Sequence, residues 1–248
     1  MVNQRGNGHA ANGRAAIGGP RPVVLIAGNP RSRRKTPDAL MQNALADAGK
    51  PCPSVAYIGV ASEDDPGFFR WLAAMFRQAG SGEVRMPRLA SPRADAAEAR
   101  AVLERSDIVF MSGGDVEAGM AHLGRHALVP FLNELYRAGK PFFGLSAGSI
   151  MLARCWVRWR DPDDDASAEE FPCLGLAPVV CDTHAEEDGW EELRALLKVS
   201  GTGIGYGIPA GGALRVDPHG SVSALGKPAQ RFTSRSGRVA TLADLMPL

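Results

Sequence analysis

Short apolar runs alternate along this chain with longer segments in which apolar residues recur at helical spacing. An unbroken run of about four to eight apolar residues, bounded by turn residues, is typical of a strand that is buried on both faces of a sheet. Runs of this kind predict strands at Pro22–Ala27, Val55–Val60, Glu83–Leu89, Ser106–Met111 and Pro141–Leu145, of which the third is the weakest.

The segments between these runs carry helix signals. Thr36–Gly49 has a capping threonine, a proline at the first helical position and a terminal glycine. Phe68–Gly80 carries one apolar stripe, Asp95–Leu103 begins with a capping box, and a further helical stretch ends at Gly139. Because strands and helices alternate, we predict parallel βαβ units. The expected fold is a doubly wound α/β fold with a mostly parallel sheet of at least five strands and helices on both faces.

The alternation stops after residue 152. An acidic loop, Asp161–Asp165, precedes a predicted strand at Gly175–Cys181 and a predicted helix at Trp190–Lys198. Two short apolar segments, Ala213–Val216 and Ser221–Leu225, flank the turn sequence Asp-Pro-His-Gly. This pattern predicts a C-terminal β-hairpin.

Composition narrows the function classes. Of the 248 residues, 45% are hydrophobic and 22% are charged, as in soluble globular proteins. With 28 Lys and Arg against 27 Asp and Glu, the net charge of +1 argues against a nucleic-acid partner. No apolar run approaches the roughly 18 residues of a membrane span, and no apolar stretch near the N-terminus resembles a secretion signal. We expect a cytoplasmic protein with no membrane partner, a disordered tail over residues 1–20, and a single α/β domain over residues 21–248.

The four cysteines are too few for a disulfide framework and contain no CxxC pair. Cys173, Cys181 and His184 are the grouping that comes nearest to a metal site, but their spacing lacks a ligand pair. We expect neither a metal nor a cofactor.

The strongest chemical signal is the segment Gly144-Leu145-Ser146-Ala147-Gly148, which matches G-x-S-x-G. It lies between a predicted buried strand and a predicted helix, as a nucleophile elbow does. The small flanking residues suit a crowded, strained turn that lifts the serine hydroxyl out of the sheet. Ser146 is therefore the predicted nucleophile.

A serine hydroxyl needs a base to take its proton. Among the five histidines, His184 directly follows the predicted strand that ends in Val-Val-Cys-Asp, and we expect it to emerge at the same sheet edge as Ser146. His219 falls in the hairpin turn, and His9 falls in the tail. His184 is therefore the predicted general base.

A carboxylate that orients the imidazole would complete the triad. Asp161 lies between the nucleophile and the base in the chain, and it is the predicted acid. Asp182 is an alternative because it precedes the base by two residues, and Asp163, Asp164 and Asp165 are further alternatives.

Two backbone N–H groups are needed to stabilise the oxyanion. The elbow supplies that of Ala147. The second is expected from Gly113 or Gly114, which follow the predicted strand Ser106–Met111. Glycine at a strand end lets the backbone approach a substrate closely.

Three segments together resemble the peptidase E and cyanophycinase family of serine peptidases: MSGGD at 111–115, FFGLSAGS at 142–149 and LGL…DTH at 174–184. The resemblance covers roughly residues 22–226. It implies a fold similar to class I glutamine amidotransferases, with serine in place of their cysteine. It also implies hydrolysis of dipeptides or polymers in which an aspartyl residue supplies the attacked acyl group.

By this resemblance Ser146 is the nucleophile, His184 is the base, and Gly114 and Ala147 are the oxyanion donors. Cyanophycinases place their acid after the histidine, but the corresponding run at 203–209 contains no carboxylate. Peptidase E has an aspartate between serine and histidine, at a spacing similar to that of Asp161. The resemblance therefore implies the order serine, aspartate, histidine.

Cyanophycinases also carry arginines just after the histidine, where this chain has Ala-Glu-Glu-Asp at 185–188. Cyanophycin is therefore not the expected substrate. We expect a small peptide whose free amino terminus is attracted by the acidic run at 186–188, while the basic loop Arg31–Lys35 could meet its other end. Asp115, Asp182 and Glu186 are the expected substrate contacts, and the oligomeric state, monomer or homodimer, is left open.

Two rival functions share parts of this pattern. An α/β-hydrolase esterase has the same elbow, but its histidine usually comes late in the chain, where only His219 is available. A non-catalytic binding protein could retain the fold without a working triad.

Overall fold

The computed structural model describes residues 18–28 and 38–247. Its strands are β1 (Val23–Ile26), β2 (Val55–Ile58), β3 (Val84–Arg85), β4 (Ile108–Met111), β5 (Phe142–Leu145), β6 (Cys155–Trp159), β7 (Ala168–Pro172), β8 (Val180–Thr183), β9 (Thr202–Ile208), β10 (Ala213–Val216), β11 (Val222–Leu225), β12 (Ala229–Arg235) and β13 (Arg238–Leu245). Its helices are α1 (Ala39–Ala46), α2 (Pro66–Ala79), α3 (Ala96–Arg105), α4 (Val116–Arg125), α5 (Leu128–Arg137), α6 (Ala147–Leu152) and α7 (Glu191–Ser200). None of these described helices is long and apolar enough to cross a bilayer.

The central sheet has the strand order β11-β10-β1-β5-β4-β2-β3. The five strands from β1 to β3 in this order run parallel, which confirms the predicted parallel sheet. At the other edge β10 and β11 pair antiparallel, so the predicted C-terminal hairpin is an extension of the same sheet.

The sheet is buried on both faces. Along β1, Val23 and Leu25 point into one apolar core, while Val24 and Ile26 point into a second. Helices α1 and α2 cover the second core, and α3 to α6 contribute to the first. Continuous apolar runs are required because alternate residues enter opposite cores. The doubly wound arrangement is thereby confirmed.

A second layer was not predicted. Strands β13-β12-β9-β8 form a separate sheet, in which β8 and β9 are parallel, and β6 pairs with β7 in a hairpin. Strand β9 escapes sequence recognition because glycine is unfavourable in strands. Here its glycines make room for α7, since a Cβ on Gly207 would lie 2.6 Å from the ring of Trp190.

Several predicted boundaries shift. The N-cap of α1 is Asp38, whose Oδ1 accepts the N–H groups of the next turn, and Thr36 and Pro37 lie outside the described residues. The predicted strand at 175–181 is displaced to β8. The long helical stretch before Gly139 is broken into α4 and α5 at Ala127, which has a φ of +50°. Of the predicted tail, residues 1–17 lie outside the described range.

Candidate active site

Ser146 lies on a strained turn between β5 and α6. Its backbone has φ +53° and ψ −124°, a conformation that non-glycine residues rarely adopt. Its N–H donates to the carbonyl of Ile26 in the neighbouring strand at 2.8 Å. The turn is tight, since a Cβ on Gly148 would lie 2.1 Å from the carbonyl oxygen of Met111, and one on Gly144 would lie 2.6 Å from Gly148. The sequence Gly-x-Ser-x-Gly thus forms the elbow geometry.

His184 meets this serine from a different sheet. It directly follows β8, has a φ of +47°, and donates its N–H to the carbonyl of Ile208 at 2.9 Å. Its Nε2 lies 2.7 Å from Oγ of Ser146. The expectation that both residues leave one sheet edge is wrong, because β8 pairs with β9 in the second sheet. The two side chains meet because α6 packs against β8.

Asp161 lies in the exposed loop between β6 and β7. Its Oδ1 accepts the N–H of Asp163 at 3.1 Å, and its backbone is bonded on both sides to the hydroxyl of Ser167. The described hydrogen bond of the His184 ring is with Oγ of Ser146, and the carboxylate of Asp161 is not among its described partners. The structure therefore brings together the predicted nucleophile and base, while the carboxylate of the predicted acid bonds within its own loop.

Asp182, the alternative acid, is a buried carboxyl group in β8. It is 4% exposed, and its Oδ1 accepts the N–H of Thr183 at 2.6 Å. Its Oδ2 is buried and has no hydrogen-bond partner among the described residues. Burial raises the pKa of Asp182 to about 7, and the negative charges of Glu192, Asp188 and Glu186 add to the shift. Near neutral pH this group is thus poised between its two protonation states.

The predicted oxyanion donors flank Ser146. Gly114 has a φ of +142°, and a Cβ there would lie 1.8 Å from the carbonyl oxygen of Ala61. The N–H of Ala147 opens α6, and among the described hydrogen bonds neither this group nor the N–H of Gly114 has an acceptor. A Cβ on the adjacent Gly113 would lie 3.2 Å from that of Ser146, so the glycine pair lies against this serine. Two unused donors beside a serine suit a developing oxyanion.

A cavity of about 620 Å³ opens above this pair. Its walls carry many carboxylates. Two of the predicted substrate contacts, Asp115 and Asp182, line it, as does Asp188 from the acidic run at 186–188. Its remaining lining includes Glu117 and Glu192 and the aromatic residues Trp156 and Trp159. The charge of the cavity is therefore predominantly negative.

One cation of the lining is already engaged. Arg158 donates to Glu169, with its Nη2 2.7 Å from Oε1, and its guanidinium lies over the ring of Phe171. Glu186, a predicted contact, is absent from the described lining and accepts the N–H of Ala210 at 2.7 Å. The basic loop Arg31–Lys35 lies outside the described residues. His219 is exposed in the turn between β10 and β11.

Sequence reasoning missed the hairpin of β6 and β7, which supplies both tryptophans to the cavity. The available signal was the composition of Cys-Trp-Val-Arg-Trp at 155–159, because a short run rich in aromatic and β-branched residues is typical of a strand. It also missed the turn behind Gly114. Asp64 in that turn accepts the N–H groups of Leu89 and Ala90 at 2.5 and 2.7 Å.

Comparisons with known proteins identify the family to which this chain belongs. The model of peptidase family S51 matches residues 24–222. Peptidase E from Pasteurella multocida (strain Pm70) is 26% identical over 212 residues, which cover 82% of this chain and 86% of that protein.

Two solved structures share the fold. A peptidase from an acI-B1 Actinobacterium superposes with a TM-score of 0.69 at 16% identity, covering 92% of this chain and 97% of the other. A putative peptidase E from Listeria monocytogenes EGD-e superposes with a TM-score of 0.60 at 15% identity, covering 84% and 98%. Since the family model spans most of the sequence and includes both Ser146 and His184, the chain belongs to peptidase family S51 and is a serine-type peptidase.

Proposed function

We propose that this peptidase cleaves small peptides in which an aspartyl residue supplies the acyl group, through an acyl-enzyme on Ser146. The observation that carries the proposal is the 2.7 Å contact between Oγ of Ser146 and Nε2 of His184, made on a strained elbow. A hydroxyl held against an imidazole at hydrogen-bond distance is the arrangement that activates a serine.

The proposed reaction has two halves. In the first, Oγ of Ser146 attacks the peptide carbonyl carbon while Nε2 of His184 takes the hydroxyl proton. The oxyanion is stabilised by the N–H groups of Gly114 and Ala147. The C–N bond then breaks, and the leaving amine takes the proton from His184. In the second half, a water attacks the acyl carbon with His184 as base, which regenerates the free serine.

We propose Asp161 as the residue that orients His184. Its support is its place between the nucleophile and the base in the chain, which is similar to that of the acid in peptidase E. Two nearby residues, Trp159 at the end of β6 and Pro162 in the same loop, line the cavity. Asp161 now accepts a hydrogen bond from its own loop, so this role requires the loop to turn toward the His184 ring.

The charge of the cavity supports a substrate with a free amino terminus. Asp182, Asp188 and Glu192 line its wall beside the base, and the described cation of that wall, Arg158, is paired with Glu169. An ammonium group is attracted into such a field. The α-ammonium of an aspartyl peptide lies next to the attacked carbonyl, and these carboxylates line the same cavity as Ser146, so they can select it.

The test combines a substrate screen with covalent labelling. Aspartyl dipeptides are compared with glutamyl and asparaginyl dipeptides and with simple aryl esters, and release of the amino-terminal residue is measured. A fluorophosphonate probe should label the wild type at Ser146 and leave Ser146→Ala unlabelled. Turnover of esters without any aspartyl peptide would contradict the substrate assignment. Ser146→Ala activity within tenfold of wild type would contradict the nucleophile.

A further inference from the structure

The oxyanion segment, residues 112–115, packs against an unusual turn. Residues 59–65 connect β2 to α2, and within them Glu63 and Asp64 are consecutive residues in the left-handed region, with φ of +53° and +52°. A non-glycine residue in this region is strained, and such strain persists only where surrounding contacts impose it. The turn is therefore held in place rather than locally preferred.

The contacts that hold it converge on Asp64. This side chain is 6% exposed, and its Oδ2 accepts the N–H groups of Leu89 and Ala90 at 2.5 and 2.7 Å. The N–H of Asp64 itself donates to the carbonyl of Gly59 at 3.0 Å, which closes the turn. The carboxylate thus ties the turn to the backbone segment that follows β3.

The opposite side of the turn touches the proposed oxyanion donor. The carbonyl of Ala61 accepts the N–H of Asp115 at 2.7 Å, and the carbonyl of Ile58 accepts the N–H of Ser112 at 2.9 Å. Gly114 lies between these two bonds with its α-carbon against the Ala61 carbonyl. A displacement of the turn must therefore displace the N–H of Gly114.

A second contact joins the turn at 59–65 to helix α4. Helix α4 begins directly after Asp115 and contains the buried His122. Nε2 of His122 lies 2.8 Å from Oε1 of Glu63. Arg125 faces Nδ1 of the same ring at 3.0 Å. Because arginine only donates, Nδ1 is the acceptor and Nε2–H donates to Glu63. The turn is thus fixed to the helix that leaves the oxyanion segment.

Resting on the proposed function, we infer that Asp64 is a positioning residue for the oxyanion hole, which sets the place of the Gly114 N–H through the turn at 59–65. It touches neither substrate nor reacting atoms. Its effect should therefore appear in the transition state, where the oxyanion exists, and only weakly in ground-state binding.

Three substitutions test this role. Asp64→Ala removes the acceptor of two N–H groups, and Asp64→Glu keeps the charge but moves the acceptor by one methylene. Asp64→Asn keeps a carbonyl oxygen in the position of Oδ2. The matched control is Asp95→Ala, because Asp95 also accepts two N–H groups, at the start of α3 and on a side chain exposed to solvent. Each variant is normalised by the fluorophosphonate-titrated fraction of active sites.

The expected result is a fall of roughly ten- to hundredfold in kcat for Asp64→Ala and Asp64→Glu, as a displaced oxyanion donor produces, with KM nearly unchanged. A substrate-like aldehyde, which forms the oxyanion, should bind more weakly by the same factor, while the free amino-acid product should bind as in wild type. Asp64→Asn should recover most of the activity, and Asp95→Ala should change only the melting temperature.

Titrated sites that turn over within threefold of wild type in both Asp64→Glu and Asp64→Ala would overturn the inference, as would an equal loss of aldehyde and product affinity. If Asp64→Ala does not fold, the contrast of Asp64→Glu with Asp64→Asn decides alone. A wild-type protein that the probe does not label would instead contradict the proposed function.

Discussion

Replacing Gly114 by alanine tests the oxyanion hole at the point where the structure leaves least room. The added methyl would lie 1.8 Å from the carbonyl oxygen of Ala61, 2.3 Å from its carbon and 2.8 Å from the N of Ser62. All three are backbone atoms, so no side chain can rotate away. The backbone at Gly114 also has a φ of +142°, which L-residues rarely adopt.

The size of the displacement follows from these distances. Ordinary contact between a Cβ and another heavy atom begins near 3.4 Å, so residue 114 must move from its 1.8 Å position by about 1.6 Å. A donor about 2.9 Å from an oxyanion would then lie well beyond hydrogen-bond distance. Loss of one such donor costs about 10²- to 10³-fold in kcat. Strain and overpacking together should lower the free energy of unfolding by about 2–6 kcal/mol, a large part of the total for a domain.

The assay measures kcat and KM on the best aspartyl peptide, together with the melting temperature. Gly124→Ala is the matched control, because Gly124 lies in α4, has no heavy atom within 4 Å of the position that an added methyl would take, and should gain up to about 1 kcal/mol of stability from better helix propensity. Full kcat in a folded Gly114→Ala protein would show that the N–H of this residue is not an oxyanion donor. A loss shared equally by Gly124→Ala would refute the packing argument.

Three further outcomes are expected. Asp161→Asn should lower kcat by up to about 10⁴-fold if Asp161 orients the base, and Asp163→Asn should keep wild-type rates; steady-state kinetics of the pair would refute the role if both were silent. N-acetylation of an aspartyl dipeptide should lower kcat/KM by about ten- to hundredfold, and equal rates on free and acetylated peptides would refute selection of the ammonium. Because Asp182 has its pKa raised from 3.8 to about 7 by burial, the folded protein retains a proton that the unfolded chain releases, so stability should fall from about pH 4 to pH 7. Asp182→Asn should remove up to about 4 kcal/mol of that dependence in denaturant titrations, and identical pH slopes in the two proteins would contradict it.

Local patterns in the sequence were enough to predict the central sheet and the elbow at Ser146. Successive residues of a central strand enter two apolar cores in turn, so every residue of the strand is apolar. Val23–Ile26 and Ile108–Met111 can therefore be predicted as buried strands. The elbow can also be predicted from a short stretch of sequence. Its crowding acts within a few residues of Ser146, and it demands small neighbours at 144 and 148. Both signals lie inside short windows of the chain.

Which side chains lie next to Ser146 depends on contacts between residues that are distant in the chain. His184 follows a strand of another sheet, and only the packing of α6 against β8 brings its ring to Ser146. One strand of that sheet, β9, contains glycines that are unfavourable for strand formation. They make room for the side chains of Trp190 and Leu193, which pack against them. When a residue is suited to a contact with a residue far away in the chain, its own segment shows no periodic pattern that would predict the contact.

The supports of the oxyanion segment follow the same rule. Asp64 lies in an acidic run at 63–65, and only the fold brings the N–H groups of Leu89 and Ala90 to its carboxylate and buries it. Conversely, Asp161 has the chain order of a triad acid, yet an exposed aspartate satisfies its carboxylate with the nearest backbone N–H. Residue type and order determine which groups are available to react, whereas burial and long-range hydrogen bonds decide which of them meet.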